Sequence, residues 1–185
     1  MTCIVGLAEG GVVYIGGDSA GVTGYDIASR ADEKVFTNGD LLMGFTSSFR
    51  MGQLLRYSFT APEQSSRKDD MTYLVTDFID AVREMYHEKG FMRKENEAEE
   101  GGTFLLGFHG KLYTIEDDFQ VGRPGDGYAA VGSGSQIALG AMFATRNSKL
   151  SPANRIEIAL LAASEYNAGV RGPFLVMQAP EVESK

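Results

Sequence analysis

The spacing of apolar residues in this chain alternates between a strand period and a helix period, and this alternation limits the folds available to it. Short apolar runs at 3–8 and 12–17 predict a first β-hairpin. Asn38-Gly39, between runs at 34–36 and 41–45, predicts a second. The later segments, in chain order, are helical spacing at 51–59 and 73–86, strand-like runs at 103–108, 111–115 and 128–131, helical segments at 135–146 and 152–166, and a strand at 174–177.

This order of strands, two helices, strands, two helices and a strand favours an α+β fold. It suits two sheets that pack face to face, with helices covering both outer surfaces. The polar, largely acidic segment 89–102 predicts a solvated loop, since no second core follows that would make it a linker. We therefore expect one domain over residues 1–185, with a frayed tail at 179–185.

The charge and cysteine content exclude several classes of partner. Seventeen basic and twenty-five acidic residues give a net charge of −8, and no basic patch is long enough to attract a phosphate backbone, so we expect no nucleic-acid partner. The apolar runs are too short for a membrane span, and no signal-peptide pattern is present. The single cysteine, Cys3, excludes an internal disulfide and suits a reducing cytosol, so we expect a cytoplasmic protein.

Thr2, directly after the initiator Met1, carries the strongest indication of chemistry. Removal of Met1 would give one residue both a hydroxyl nucleophile and a free α-amine, whose pKa of about 7.7–8.0 suits a base at neutral pH. Asp18 lies sixteen residues after Thr2, and Lys34 lies sixteen residues after Asp18. A Gly132-Ser133-Gly134 element follows a strand-like run near the middle of the chain.

The order of these residues resembles the proteasome β-subunit superfamily of N-terminal-nucleophile hydrolases, and within it the HslV peptidases. The resemblance covers nearly the whole chain, and the spaced Thr, Asp and Lys with a later Gly-Ser-Gly form a specific combination. It implies the four-layer αββα sandwich of that superfamily, with two antiparallel sheets. The residues that carry it are Thr2-Cys3-Ile4-Val5, Ile15-Gly16-Gly17-Asp18, Gly24, Lys34-Val35, Gly44-Phe45, Val131-Gly132-Ser133-Gly134 and the stretch 167–174.

The resemblance implies a catalytic role for each matched position. Thr2 corresponds to the nucleophile that attacks a peptide carbonyl, and Lys34 to a lysine that lowers the pKa of the threonine hydroxyl. Asp18 corresponds to the acid that orients this lysine, and Ser133 to a serine that hydrogen-bonds the α-amine and helps relay the proton. The oxyanion donor would be the backbone N–H of Ser47, at a position where the family has glycine.

Two positions after the last long helix depart from the family pattern. Asn167 stands where an aspartate is common, so an amide replaces the acid that supports Ser133, and Val170 stands where a serine is common. No metal site is expected, because His87 and His109 stand singly without metal-ligand spacing. No organic cofactor is expected either, although HslV-type relatives bind a monovalent cation through backbone carbonyls of this loop.

The resemblance also implies a substrate pocket and an assembly. Gly21, Asp32, Phe45 and Phe49 correspond to the pocket wall, and the three bulky or charged side chains among them suggest a restricted pocket. Family members form rings that enclose their active sites, so we expect a homo-oligomeric ring with an unfoldase or other gating partner. The expected activity is that of a threonine-type endopeptidase on unfolded proteins or peptides.

Each matched residue also has an ordinary interpretation. Thr2 fits a strand residue behind a retained Met1, Asp18 fits a turn cap, and Lys34 taken alone fits a surface lysine. The Gly-Ser-Gly element fits a simple strand-to-helix turn, whereas a dinucleotide site there is disfavoured because Ile137 replaces the third glycine. Cys3 is expected to be a buried apolar residue rather than a reactive thiol. The joint spacing of the matched residues, rather than any one of them, favours catalysis.

Two further functions on the same fold remain open. A retained Met1, together with Ser47, Asn167 and Val170, would favour a non-catalytic structural or regulatory subunit. A closed pocket in place of an open groove would favour a hydrolase of small amides.

Because the amine must be free to act as a base, we predict that active protein begins at Thr2. N-terminal sequencing and an intact mass of purified, peptidase-active protein measure this directly. An active preparation in which every chain retains Met1 would contradict the amine-as-base mechanism.

Overall fold

The computed structural model describes residues 1–95 and 98–180. The strands, in chain order, are β1 (Ile4–Glu9), β2 (Val12–Gly17), β3 (Ala20–Thr23), β4 (Asp26–Ser29), β5 (Val35–Asn38), β6 (Leu41–Phe45), β7 (Arg93–Glu95), β8 (Ala98–Glu100), β9 (Phe104–Phe108), β10 (Lys111–Ile115), β11 (Val121–Gly122), β12 (Tyr128–Val131) and β13 (Leu175–Gln178). The helices are α1 (Phe49–Tyr57), α2 (Asp70–Tyr73), α3 (Ile79–Glu88), α4 (Ser135–Ala144) and α5 (Pro152–Tyr166), and a π-helical turn at Leu74–Phe78 joins α2 to α3.

Two antiparallel sheets form the centre of the molecule. The first sheet has the strand order β12-β1-β2-β13, and the second has the order β11-β10-β9-β6-β5. Two separate ribbons, β3 with β4 and β7 with β8, extend from them. None of the helices in the described ranges is both long and apolar enough to cross a membrane.

Three hydrophobic cores separate four layers of structure. The inner core lies between the sheets and joins Ile4 and Ile15 of the first sheet to Leu42 and Leu105 of the second. Helices α4 and α5 cover the outer face of the first sheet, and helices α1 to α3 with the π-helical turn cover the outer face of the second. The α+β, four-layer αββα sandwich expected from the sequence is therefore confirmed.

Glycines on the inner faces allow the two sheets to approach closely. A Cβ atom on Gly44 of β6 would lie 2.6 Å from Ile4 Cγ2 and 2.7 Å from Ile15 Cγ2, both in the opposite sheet. A Cβ on Gly17 of β2 would lie 2.9 Å from Val35 Cγ2, again across the sandwich. These contacts set the distance between the two sheets at the end of the sandwich that holds Thr2, Asp18 and Lys34.

The hairpin at Asn38-Gly39 is present, but its turn lies one residue later than the sequence predicts. Asn38 is the last residue of β5 and pairs with Leu41, so the loop is Gly39-Asp40, with Gly39 at a φ of 58°. The Asn38 amide donates hydrogen bonds to the carbonyls of Leu55, at 2.8 Å, and Phe59, at 3.0 Å, near the end of α1. Because its side chain satisfies these carbonyls, Asn38 remains the last paired residue of β5 and does not form part of the turn.

Three strand features have no counterpart in the sequence-based expectations. The β3–β4 ribbon is largely exposed and lacks clear apolar alternation, and β11 is only two residues long. The sequence predicts a solvated loop over 89–102, whereas strands β7 and β8 fold part of it back on itself. Hydrophobic period does not reveal local pairing of this kind, because each of these strands is only two to four residues long.

Side-chain capping explains the differences at the helix ends. Helix α2 begins at Asp70, before the predicted start at 73, because the Asp69 carboxylate accepts the Thr72 N–H at 2.7 Å. Helix α4 ends at Ala144 rather than 146, where the Thr145 hydroxyl donates to the Ala141 carbonyl at 2.9 Å.

The first residue of the frayed tail predicted at 179–185 is held in place by a backbone hydrogen bond. Ala179 N–H donates to the Val13 carbonyl at 2.8 Å, so this residue is held against β2. The rest of the predicted tail, from 181 to 185, lies outside the described residues.

We predict that Gly44→Ala lowers the free energy of unfolding by about 1–3 kcal/mol, because the added methyl group overpacks the space between the sheets. Gly140→Ala is a matched control, since Gly140 lies in α4 and its Cβ would meet no atom within 4 Å. This control should gain about 0.5–1 kcal/mol from helix propensity and reduced unfolded-state entropy. Urea unfolding measures both changes, and equal stabilities would contradict the close sheet contact.

Candidate active site

The strand register brings the ends of several strands together at one end of the sandwich. Ile4, at the start of β1, pairs with Gly17 at the end of β2 and with Val131 at the end of β12. The second sheet meets this point because β5 begins opposite Gly17. The residues that adjoin these strand ends are Thr2, Asp18, Ser133 and Lys34.

Thr2, Lys34 and Asp18 form a connected, buried group. Lys34 Nζ lies 3.0 Å from Thr2 Oγ1 and 2.9 Å from Asp18 Oδ1. The exposed fractions of the three residues are 5%, 3% and 3%. Three residues spaced sixteen apart in the sequence are thus in direct contact, as their predicted roles require.

The Asp18 carboxylate is held by the backbone as well as by Lys34. Oδ1 also accepts the Cys3 N–H at 2.9 Å, and Oδ2 accepts the N–H groups of Ala20, at 2.9 Å, and Arg171, at 3.3 Å. These bonds satisfy a charge that is out of contact with water and fix the direction in which it holds Lys34.

Burial lowers the pKa of the Lys34 ammonium below its ordinary value, while the charge of Asp18 opposes that shift. Burial also raises the pKa of the neighbouring Cys3 thiol to about 12, with a contribution from Asp18 in the same direction. Cys3 is fully buried against α4 and α5, which confirms the prediction of an apolar role. A thiol with so high a pKa is a poor nucleophile at neutral pH.

Ser133 connects the backbone nitrogen of Thr2 to Asn167. Thr2 N donates to Ser133 Oγ at 3.2 Å, and Ser133 Oγ donates to Asn167 Oδ1 at 3.1 Å. The Asn167 amide is fixed in turn, because Nδ2 donates to the Ser133 carbonyl at 2.8 Å and Oδ1 accepts the Gly169 N–H at 2.9 Å. Asn167 can therefore orient the serine hydroxyl without carrying a charge.

Ser47 adopts the left-handed conformation that favours glycine, with a φ of 66°. Its hydroxyl accepts the Thr103 N–H at 3.1 Å, which helps to hold the residue in that conformation. Over the described ranges, 1–95 and 98–180, the Ser47 backbone N–H has no hydrogen-bond acceptor. The backbone therefore presents a free donor at the position predicted for the oxyanion site.

Two clefts that share Ser47 lie beside the N-terminal end of the chain. One has a volume of about 370 Å³, and the other of about 190 Å³. The larger is lined by Met1, Thr46, Ser47, Thr103, Glu116, Ala130, Val131, Gly132 and Ser135. Burial raises the pKa of the Glu116 carboxyl in this wall, and the charges of Asp117 and Asp118 add to the effect.

Met1 lines the larger of these two clefts and contacts the Thr2 hydroxyl. Thr2 Oγ1 donates a hydrogen bond to the Met1 carbonyl. The Met1 side chain packs on Gly169, whose Cβ would lie 2.2 Å from Met1 Cβ. With Met1 attached, Thr2 N is a peptide N–H, and it has no basic lone pair to accept a proton.

Three of the four residues assigned to the pocket wall contact an arginine that the sequence did not indicate. Arg30 packs on Gly21 and on the ring of Phe49, and it forms an ion pair with Asp32. Phe45 contacts Phe49 edge to face, with ring centroids 5.7 Å apart. A single arginine forms no recognisable sequence motif, so its contacts with the pocket-wall residues are visible only in the folded structure.

The loop after α5 contributes backbone groups as well as Asn167. Val170 is buried among the residues that pack α4 and α5 on the first sheet, which explains an apolar residue at this position. The carbonyls of residues 168–170 accept no hydrogen bond from any described residue. The monovalent-cation site at this loop stays a prediction. Over the described part of the chain, no group of three or more His, Cys, Asp or Glu is placed to hold a metal ion.

Comparison with solved structures identifies the class of fold. BPH from Thiobacillus denitrificans superposes with a TM-score of 0.80 at 20% identity, over 96% of this chain and 97% of that chain, and its complex with epoxomicin gives a TM-score of 0.79. HslV from Trypanosoma brucei gives 0.68 at 18% identity, over 96% and 98%. Anbu (ancestral beta-subunit) from Yersinia bercovieri gives 0.66 at 16% identity, over 97% and 82%.

The chain therefore has the proteasome-like, HslV-type fold that its sequence resemblance implies. At these identities the likeness shows the fold alone. No protein-family model matches the chain, and no curated protein matches it. The case for an activity consequently depends on the geometry of the site.

We predict that Asp18→Asn lowers the free energy of unfolding by about 3–5 kcal/mol, because it leaves the Lys34 ammonium buried without its counter-charge. Asp77→Asn is the matched control, since Asp77 pairs with Lys68 at 2.6 Å while one third of each side chain is exposed. That change should cost no more than about 1 kcal/mol. Chemical denaturation of both variants distinguishes these outcomes, and similar losses would contradict a special role for the buried pair.

Proposed function

We propose that this protein is a threonine-type peptidase whose nucleophile is Thr2 after removal of Met1. One observation carries the proposal: Lys34 Nζ lies 3.0 Å from Thr2 Oγ1 and 2.9 Å from Asp18 Oδ1, in a group from which water is excluded. A buried ammonium beside a hydroxyl stabilises the alkoxide and so lowers the pKa of the hydroxyl. The proteasome-like fold supports the coarser class of N-terminal-nucleophile hydrolase.

The proposed reaction begins with the free α-amine of Thr2. The hydroxyl attacks the carbonyl carbon of the scissile bond, and its proton passes to the amine, with Ser133 beside the nitrogen. The developing oxyanion accepts the free Ser47 N–H. The tetrahedral intermediate then expels the peptide amine, which takes the proton, and an ester to Thr2 remains. Water attacks this ester by the same route and regenerates Thr2.

The shape of the site favours a peptide over a small amide. We infer that the two clefts that share Ser47 join into one open groove, which differs from a closed pocket around the hydroxyl. A groove can hold residues on both sides of the scissile bond. We therefore infer that the substrates are peptides or unfolded proteins.

The BPH structure with epoxomicin makes that compound a suitable probe, which should raise the melting temperature of processed protein but not of Thr2→Ala.

A non-catalytic subunit is the second candidate, and retention of Met1 would favour it. While Met1 is attached, the Thr2 hydroxyl donates to the Met1 carbonyl, and no α-amine is present at the site. A protein that keeps Met1 would therefore be inert. Intact mass separates the two candidates before any activity is measured.

We predict that Lys34→Ala lowers peptide turnover by at least about 100-fold, because the hydroxyl loses the positive charge beside it. Lys34→Arg should recover little activity, since its planar guanidinium places the charge differently. Lys111→Ala is the matched control, because Lys111 pairs with Asp70 at 2.6 Å on the surface. Melting temperatures must show that each variant is folded, and near-normal turnover in Lys34→Ala would contradict the proposal.

We also propose that the chain forms a closed homo-oligomeric ring, which would keep an open peptidase groove away from folded proteins. We expect the helical segment 73–86 and the polar segment 89–102 to be contact regions. The structure adds an exposed apolar surface on α4 and α5, where Phe143, Leu161 and Tyr166 are 57%, 52% and 79% exposed. An unfoldase or gating partner and a cytoplasmic location belong to the same proposal.

For this assembly we predict a species of six or more subunits by multi-angle light scattering at modest salt. Ring interfaces repeat head to tail and close by rotation, so one discrete mass is expected rather than a broad series. A monomer at every concentration that still cleaves unfolded protein would contradict the ring and favour an uncompartmented hydrolase.

A further inference from the structure

Arg30 fills the space between Gly21 and Phe49. Its Cδ and Cγ atoms lie 2.7 and 2.9 Å from the position that a Cβ on Gly21 would occupy, and its Cζ lies 3.8 Å from the Phe49 ring centroid. Its Nε and Nη2 donate to the two carboxylate oxygens of Asp32, at 2.6 Å each. The side chain is therefore held by a glycine surface, an aromatic face and a carboxylate.

This arrangement adjoins the reacting group. The Phe49 ring that packs on Arg30 also lies close to Lys34, with 5.7 Å between the ring centroid and Lys34 Nζ. Lys34 in turn contacts Thr2 Oγ1. The Arg30 and Asp32 side chains are 40% and 45% exposed, so the recess they occupy opens to solvent. Arg30 is thus separated from the Thr2 hydroxyl only by Lys34 and one aromatic ring.

The surroundings of Arg30 have the chemistry of a guanidinium-binding recess. A carboxylate that takes two parallel N–H bonds and an aromatic face that stacks on the cation are the two contacts that select arginine. Gly21 has an ordinary strand conformation, so its backbone does not require glycine. Its missing side chain instead leaves room for the stem of Arg30. The chain's own arginine occupies the recess as a ligand would.

We propose that Arg30 determines substrate specificity by occupying the recess that would otherwise receive the substrate side chain before the scissile bond. This inference rests on the proposed peptidase function. With Arg30 in place, only small side chains fit there, so the protein cleaves after residues such as alanine. Without Arg30, the recess offers Asp32 and Phe49 to the substrate and accepts arginine.

The first test measures binding and needs no catalysis. Ethylguanidinium should bind Arg30→Ala at least about tenfold more tightly than it binds wild type, because it replaces the missing side chain. The double variant Arg30→Ala/Asp32→Asn should lose this binding, since the carboxylate is gone. Ligand-observed NMR on processed protein, repeated with Thr2→Ala added to each variant, gives the comparison. Equal binding to all three proteins would overturn the recess.

The second test compares cleavage of matched peptides with Ala, Phe or Arg before the scissile bond. Wild type should prefer Ala, and Arg30→Ala should gain at least about tenfold in cleavage after Arg relative to Ala. Arg56→Ala is the control, because Arg56 also contacts a carboxylate, Glu33, and an aromatic ring, Phe36, and it should keep the wild-type profile. Wild type that cleaves well after Arg, or an unchanged profile in Arg30→Ala, would overturn the inference.

The two tests distinguish a failure of the inference about Arg30 from a failure of the proposed peptidase function. If Arg30→Ala binds ethylguanidinium while no variant, wild type included, cleaves any peptide, the peptidase proposal is wrong and the recess stands as a guanidinium site. If peptides are cleaved but the recess does not bind ethylguanidinium, the peptidase proposal stands and the role of Arg30 is wrong.

Discussion

The buried ion pair between Lys34 and Asp18 is the interaction on which the rest of this site depends. The charged atoms lie 2.9 Å apart, and the side chains are 1% and 0% exposed. Removing two charges from water is costly, so such a pair survives only where further hydrogen bonds satisfy both partners. Three backbone N–H groups bind Asp18, and the Thr2 hydroxyl lies against the ammonium. Since Asp18 follows a strand of the first sheet and Lys34 precedes a strand of the second, the pair joins the two sheets at the end that holds the candidate site.

That ion pair requires the sheets to approach closely, and glycine makes the approach feasible. Gly17, next to Asp18, has no side chain where Val35, next to Lys34, packs across the sandwich. Gly132 plays a comparable role beside Ser133: it has a φ of 96°, and a Cβ there would lie 2.3 Å from the Thr2 carbonyl. Backbone that bears no side chains thus lets three chain segments converge on Thr2, and the site is a consequence of sheet packing rather than of flexible loops.

The sequence predicts the parts of the structure that leave a one-dimensional signal. The sandwich follows from hydrophobic period, whereas Thr2, Asp18 and Lys34 are predicted by the resemblance of their order and spacing to a known family. Antiparallel pairing of β1 with β2 places Thr2 near Asp18. The β3–β4 ribbon is short and largely exposed, with Ala20 buried at its start, so its period carries little information. Arg30 is missed for a related reason. Its partners lie within a few residues or across the fold, and an exposed arginine in the segment between β4 and β5 resembles any other surface residue.

The hydrogen-bond directions around Ser133 show how an amide at position 167 remains compatible with an amine at position 2. The Asn167 amide is fixed by its bond to the Ser133 carbonyl, so its oxygen faces the Ser133 hydroxyl and accepts that proton at 3.1 Å. Ser133 Oγ then presents a lone pair to Thr2 N. A free amine in this place can donate one N–H to Ser133 and keep its own lone pair for the Thr2 hydroxyl. Removal of Met1 would create this base and, in the same step, take away the carbonyl that accepts the Thr2 hydroxyl proton. A single cleavage therefore supplies the base and frees the nucleophile, while the side chains that orient both are already in place.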